Sequence, residues 1–113
     1  MRKIEQQMCN AIALGKDWKS GNTRVVNVDG WSRVFLHDNL IAVVTEDDVR
    51  VFDGGWQSNT TKSRLNAIIE FFCDAGEGVF QRDFKWYIHK LVGIAGQSKV
   101  FNEIPFTNGY IFA

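Results

Sequence analysis

The chain has 113 residues, of which 45% are apolar and 23% charged, and its thirteen basic and thirteen acidic side chains cancel to a formal net charge of zero. This composition excludes an intrinsically disordered chain, because disorder requires low hydrophobicity or a high net charge. It also argues against a general nucleic-acid coat protein, which relies on excess positive charge to displace counterions. We therefore expect residues 1–113 to form a single domain with a core that needs neither disulfides nor metals.

The cellular compartment is predicted from the chain start, the apolar runs and the cysteines. Met1 is followed by a polar, charged stretch, and no apolar run is long enough to span a membrane. Cys9 and Cys73 lie among apolar residues at helical spacing, so we expect two separate, reduced and buried thiols. These features predict a soluble protein of a reducing cytoplasm, without membrane contact.

An N-terminal helix is the first predicted element. Residues 3–14 place Ile4, Met8 and Ile12 on one stripe at a spacing of 3.6 residues per turn. Gly15 follows as a natural C-terminal stop. The amphipathic stripe indicates that one face of this helix packs on the core.

Four antiparallel strands follow a polar linker. They are predicted from short β-rich runs that are separated by turn residues: 23–28, 31–37, 40–45 and 48–53. Asp29-Gly30 is the strongest two-residue hairpin signal in the chain. Because a single twisted sheet would leave hydrophobic edges, these strands can roll into a small open barrel that resembles the Sm-like arrangement.

A second helix is predicted after residue 59, and its apolar stripe should be largely buried: Leu65, Ile68, Ile69 and Phe72. Residues 79–92 suit either a helix or a strand. In the strand reading, alternate residues share one face: Phe80, Arg82, Phe84, Trp86 and Ile88. The aromatic and β-branched content favours the strand. Residues 93–98 are predicted to be a loop and 99–113 to hold one or two short strands, which gives an α+β fold.

Two blocks of the sequence are distinctive, Phe35–Ala42 and Val49–Ala67. They resemble a family of small uncharacterised proteins of tailed bacteriophages, including phages of marine bacteria, with the pattern LHGN-x-IA and then GGW-x-T-x-TTK-x-RLNA. A later aromatic segment and an F-x-NG motif of that family are similar to residues 81–87 and 106–109. Asp38 stands where the family commonly has glycine, a departure that a left-handed turn tolerates. The resemblance implies a phage origin and no established activity.

The start of the second helix is the candidate site for an anion or a partner. Hydroxyl and amide side chains precede two cations there: Ser58, Asn59, Thr60, Thr61, Lys62 and Arg64. Free N–H groups and the helix dipole attract anions, and two exposed cations at this positive end would be explained by a bound phosphate or a partner's carboxylate. The alternative is that Thr60 or Thr61 merely caps the helix and Lys62 is solvated.

The tryptophans receive three different interpretations. Trp18 lies between Lys16 and Lys19, where it can stack on bases or hold the first helix against the body of the protein. Trp56 is expected to seal the base of the second helix against the sheet. Trp86 is expected to belong to the core.

No catalytic, metal or cofactor site is predicted. His37 and His89 are the only histidines, and metal sites require several clustered His, Cys or carboxylate ligands. Neither cysteine has a histidine nearby in sequence that could activate it as a nucleophile. We therefore expect a protein that is not an enzyme.

The predicted function is that of a non-enzymatic binding module, a phage accessory protein that contacts a host or phage protein. Nine Phe, four Trp and two Tyr are many for one small core, so we also expect a homo-oligomer. The alternative is a small-barrel nucleic-acid-binding protein that uses Lys62, Arg64, Trp18 and the basic N-terminal stretch. The zero net charge disfavours this alternative.

Overall fold

The computed structural model describes residues 1–113 and contains two α-helices and nine β-strands. The helices are α1 (Lys3–Leu14) and α2 (Asn59–Phe72). The strands before α2 are β1 (Trp18–Ser20), β2 (Thr23–Val28), β3 (Trp31–Leu36), β4 (Asn39–Val44) and β5 (Val49–Val51). Those after it are β6 (Gly78–Arg82), β7 (Lys85–Ala95), β8 (Ser98–Pro105) and β9 (Tyr110–Phe112). Neither helix is both long and apolar enough to cross a membrane.

The strands form two antiparallel sheets, one of six strands in the order β1-β2-β3-β4-β5-β9 and one of three in the order β6-β7-β8. The α+β fold and the meander are therefore confirmed, but the barrel does not close. Closure would require the two outer strands of the meander to pair, whereas β5 instead pairs with β9 from the end of the chain. One core cluster contains residues of both helices and both sheets, so the helices cover apolar strand surface that a barrel would have enclosed.

Two turns of the meander follow the sequence prediction. Asp29 and Gly30 have φ angles of 52° and 80° and connect β2 to β3, which confirms the predicted hairpin. His37 and Asp38 connect β3 to β4 with φ angles of 50° and 63°. Aspartate accepts this left-handed conformation better than most residues, so Asp38 is compatible with the turn.

Residues 79–92 form strands, which confirms the favoured interpretation, but the predicted single face is wrong. A two-residue turn at Asp83-Phe84 connects β6 to β7. In the register that it sets, Phe80 lies opposite Tyr87. The turn shifts the alternation, so Trp86 is 4% exposed in the core while Phe84 is 93% exposed. When an alternating pattern is continued across such a turn, it assigns the side chains of the second strand to the wrong face of the sheet.

The predicted loop over residues 93–98 is also wrong, because β7 continues to Ala95 and β8 begins at Ser98. Strand pairing between β7 and β8 satisfies the backbone groups here, although the side chains of residues 92–100 are exposed. The strand β1 likewise falls in the predicted polar linker, where it pairs with β2. β1 has only three residues, and the ends of β7 and β8 are exposed, so none of these segments shows an apolar alternation.

The core contains most of the predicted apolar stripe of α2. Leu65, Ile68 and Ile69 are fully buried, whereas Phe72 is only partly buried. Trp18 packs partly buried against the core, as expected of a side chain that holds α1 in place. Trp56 contradicts its prediction, because it is 78% exposed and does not seal the helix.

The two cysteines are free thiols, as predicted. Cys9 is buried on α1 and its Sγ lies 3.6 Å from the Ala67 carbonyl oxygen. Cys73 follows the last residue of α2 and is half-buried, which is less burial than predicted. Burial raises the pKa of each thiol to about 12. Both thiols are therefore protonated at neutral pH, which makes them poor nucleophiles.

Candidate functional site

The start of α2 is capped by its own residues. The Ser58 hydroxyl accepts a hydrogen bond of 3.1 Å from the backbone N–H of Thr61, and the two hydroxyl oxygens lie 2.9 Å apart. Thr61 is also buried. A hydroxyl therefore caps the helix, but it belongs to Ser58 and not to Thr60 or Thr61.

Arg64 was expected to be exposed, and this prediction is wrong. Its side chain is 5% exposed and its Nη1 lies 2.9 Å from Oε2 of Glu5, whose side chain is 3% exposed. The Nε of Arg64 donates a further hydrogen bond of 3.1 Å to the hydroxyl of Thr23 on β2. Arg64 is therefore a structural ion-pair partner that an external anion cannot reach.

Glu5 is the centre of a hydrogen-bonded network that connects the two helices. Besides Arg64, the Ser63 hydroxyl donates a bond of 2.6 Å to Oε2, and the Arg2 backbone N–H donates one of 3.3 Å to Oε1. Burial alone would raise the pKa of Glu5, but these donors and the Arg64 charge lower it below its ordinary value. The network was missed, although Glu5 shares the buried face of α1 with Met8, a spacing that could have marked it.

The lowered pKa of Glu5 predicts a loss of stability in acid. A carboxyl group whose pKa is lower in the folded state stabilises the fold above its ordinary pKa of 4.5, and this contribution disappears as pH falls through the folded value. We expect the urea midpoint of the wild type to fall with decreasing pH below about 4.5 more steeply than that of Glu5→Gln, which has no carboxyl group at this position. Parallel curves from pH 7 to pH 3 would contradict this expectation.

The other residues of the predicted site do not form an anion pocket. Asn59 is exposed and Lys62 is half-buried without an ion pair. A neighbouring open pocket of about 440 Å³ is lined by Asp53, Trp56, Ser58, Thr60 and Thr61 among others, with no Lys or Arg. An anion in that pocket would face the Asp53 carboxylate, so the geometry offers little support for anion binding here.

A second candidate surface lies on the three-stranded sheet. Its inner face carries buried side chains such as Val79, Trp86 and Ile88. Its opposite face, here called the aromatic face, is partly exposed. It includes the rings of Phe80, Tyr87, His89 and Phe101 and the charged side chains of Arg82, Lys85, Lys99 and Glu103. The sequence analysis does not predict this face, because it continues a single strand through the Asp83-Phe84 turn.

The rings of the aromatic face pack against one another. Phe80 and Tyr87 stack with centroids 5.5 Å apart, and His89 and Phe101 stack at 4.2 Å with ring planes inclined by 13°. The rings of Phe80 and His89 meet edge to face with their centroids 6.1 Å apart, and this contact joins the two stacks. One flat surface of each stacked ring is thus covered by its neighbour, and the four rings form a continuous row, here called the ridge.

One ion pair lies beside this ridge. Arg82 binds Glu103 through two hydrogen bonds, of 2.6 Å from Nη1 to Oε2 and 2.9 Å from Nη2 to Oε1. The Arg82 guanidinium also lies 5.2 Å from the Phe80 ring centroid. Because the two charges neutralise each other, the aromatic face combines apolar surface with a fixed, oriented polar pair.

The segment between α2 and β6 holds one end of the ridge. The carbonyl oxygen of Gly76 lies 2.8 Å from Nδ1 of His89. A Cβ atom at Gly76 would come within 2.6 Å of the Phe101 ring, and the φ of +94° also favours glycine. Gly76 therefore lies against both rings of the His89–Phe101 stack.

The full chain, residues 1–113, matches the model of the family described as Kyanoviridae Gp96 protein. The chain therefore belongs to this family of phage proteins, which confirms the predicted phage origin. No curated protein and no solved structure matches it.

Proposed function

We propose that this member of the Kyanoviridae Gp96 family is a non-enzymatic accessory protein that binds another protein, of the phage or its host, in the cytoplasm of the infected cell. The observation that supports this proposal is the aromatic face: four half-exposed rings beside a neutralised Arg–Glu pair on one rigid sheet.

The chemistry of this face suits a protein partner. Aromatic side chains and arginine are enriched where proteins bind one another, and they dominate the energetic centre of such interfaces. Tyr87 and His89 lie on β7, the central strand, so the face is held by pairing on both sides. A surface that is already ordered loses less conformational entropy when it binds.

Nucleic acid fits the same face less well. Single-stranded nucleic acids bind through bases stacked on open ring surfaces, together with cations along the backbone. Here one flat surface of His89 and one of Phe101 cover each other, and the charge of Arg82 is paired with Glu103, which leaves Lys85 and Lys99 as the cations of this face without an ion pair. The proposal therefore commits to protein binding.

Capture from infected host lysate with matched variants tests the proposal. We expect Tyr87→Ala to reduce recovery of a specific protein by about tenfold or more, the effect of removing an interface anchor. Trp56→Ala removes another exposed aromatic residue, on the pocket beside α2, and should leave recovery unchanged. Circular dichroism of both variants controls for folding.

Two outcomes would contradict the proposal. One is equal recovery by both folded variants, which would place the contact elsewhere. The other is recovery of RNA or DNA that falls steeply and log-linearly with salt concentration, which is the signature of phosphate contacts.

A further inference from the structure

The edge strand β8 carries backbone groups that no strand of this chain pairs. It has eight residues and lies at one edge of the three-stranded sheet. The N–H of Phe106 donates to the carbonyl oxygen of Trp86 on β7 at 3.0 Å. Since backbone direction alternates along a strand, even-numbered residues of β8 point their N–H and C=O groups toward β7. The odd-numbered residues point theirs outward: Lys99, Phe101, Glu103 and Pro105.

The alternation holds along the whole of β8. The register shift between β7 and β8 lies between Leu91 and Gly93, so the extra residue is on β7. The same alternation places the side chains of Lys99, Phe101 and Glu103 together on the aromatic face. An unpaired edge of this length is a template for another strand.

We propose that a second copy of this chain occupies this edge. In this homodimer the two β8 strands pair antiparallel about a two-fold axis at Phe101 and form a continuous six-stranded sheet. The strands are joined through the backbone edge of β8, next to Phe101 and Glu103 of the aromatic face. The association needs only two copies of this chain and does not require the proposed partner protein.

Charge complementarity selects this register. With Phe101 opposite Phe101 of the second copy, Lys99 of each copy lies opposite Glu103 of the other, on the same face of the sheet. By symmetry, Lys99 of each copy comes next to a Glu103 carboxylate that Arg82 of its own chain already binds, and directly opposed charges of this kind stabilise a strand pair. The outward N–H and C=O groups of Phe101 meet those of its symmetry mate as a hydrogen-bonded pair.

Two neighbouring registers would also pair the outward-pointing backbone groups of β8, with the two-fold axis at Lys99 or at Glu103. Both are unfavourable. A two-fold axis at Lys99 would place two ammonium groups opposite each other, and an axis at Glu103 would oppose two carboxylates. The axis at Glu103 would also set Pro105, which has no N–H, opposite Phe101. In the proposed register Pro105 lies opposite Gln97, in the turn beyond β8, so the missing donor costs no strand hydrogen bond.

The charge of the whole chain permits this association. The formal net charge is zero, so no long-range repulsion opposes the approach of two copies. Exposed Val100 would face Asn102 of the second copy on the other side of the sheet, which adds apolar contact without introducing a buried charge.

Light scattering and sedimentation test the homodimer. We expect the wild type to have about twice the chain mass of 12.9 kDa at micromolar concentration. Lys99→Glu and Glu103→Lys should each weaken dimerisation by about tenfold or more, because each variant alone faces like charges at both pairs. An equimolar mixture of the two variants should regain the dimer, since each chain then faces the opposite charge at both positions.

Amide hydrogen exchange, measured on the wild type, tests the homodimer without any substitution. The outward amides of Lys99, Phe101 and Glu103 should exchange quickly in dilute solution and more slowly as concentration rises. The inward amides of Val100 and Asn102 serve as controls whose exchange should not change with concentration. A monomeric mass throughout the micromolar range, a mixture that stays monomeric while both variants remain folded, or outward amides with no concentration dependence would overturn the homodimer. None of these results would affect capture through Tyr87.

Discussion

Replacing Arg64 with alanine should destabilise the fold by about 3–5 kcal/mol, the typical cost of removing one partner from a buried ion pair. The change leaves the Glu5 carboxylate in the interior with hydrogen bonds from Ser63 and Arg2 but without its cation. It also removes the bond from Arg64 to Thr23, so α2 loses a link to β2 as well as to α1. Urea unfolding at pH 7 measures the loss.

Two further variants separate the ion pair from general effects of the substitution. Lys62→Ala removes the neighbouring cation of the same helix, which is half-buried and has no ion pair, and should change stability by less than about 0.5 kcal/mol. The double variant Glu5→Met with Arg64→Met should recover much of the loss, because a buried pair can often be replaced by apolar side chains at little cost. An Arg64→Ala loss no larger than that of Lys62→Ala would show that the network does not hold the helices together.

Replacing Ile68 with alanine should cost about 2–5 kcal/mol, since the deletion removes buried apolar surface and leaves a cavity that the surroundings fill only in part. Ile68 is 0% exposed and belongs to the cluster that joins both helices to both sheets. Leu65 and Ile69, on the same face of α2, are equally buried, so few groups nearby are free to move into the space. Denaturant unfolding measures the effect.

The control for this substitution lies two residues further along the same helix. Glu70 is exposed, and Glu70→Ala changes helix propensity only slightly while it removes no core contact. We expect a change below about 0.5 kcal/mol for this variant. A loss at Ile68 as small as that at Glu70 would mean that the buried face of α2 is assigned wrongly.

The two proposals together describe how the three-stranded sheet is used. Pairing of two β8 edges would place two aromatic faces side by side on one six-stranded sheet. A partner with repeated sites could then bind both faces and gain from the higher effective concentration of the second contact. The chain would therefore act as a symmetric adaptor, with its helices packed on the opposite side.

The sequence by itself determined the elements that depend on neighbouring residues. The stripe of Ile4, Met8 and Ile12 identifies α1, and that of Leu65, Ile68 and Ile69 identifies α2, because a helix repeats its face every 3.6 residues. Asp29-Gly30 identifies a hairpin because few residue pairs accept its backbone angles. The α+β class follows from these local signals, as does the presence of a hydroxyl cap at the start of α2.

Only the tertiary structure decided the features that join distant parts of the chain. The sequence predicts Arg64 to be a surface cation, and only the fold brings it to Glu5, 59 residues away. The sheet stays open because β5 pairs with β9 at the far end of the chain. The aromatic face exists because the Asp83-Phe84 turn places Phe80 beside Tyr87, and β8 then brings Phe101 to His89. Local periodicity records which side of an element is apolar, but the partner of each polar or aromatic side chain is set by long-range packing, which no short window of sequence contains.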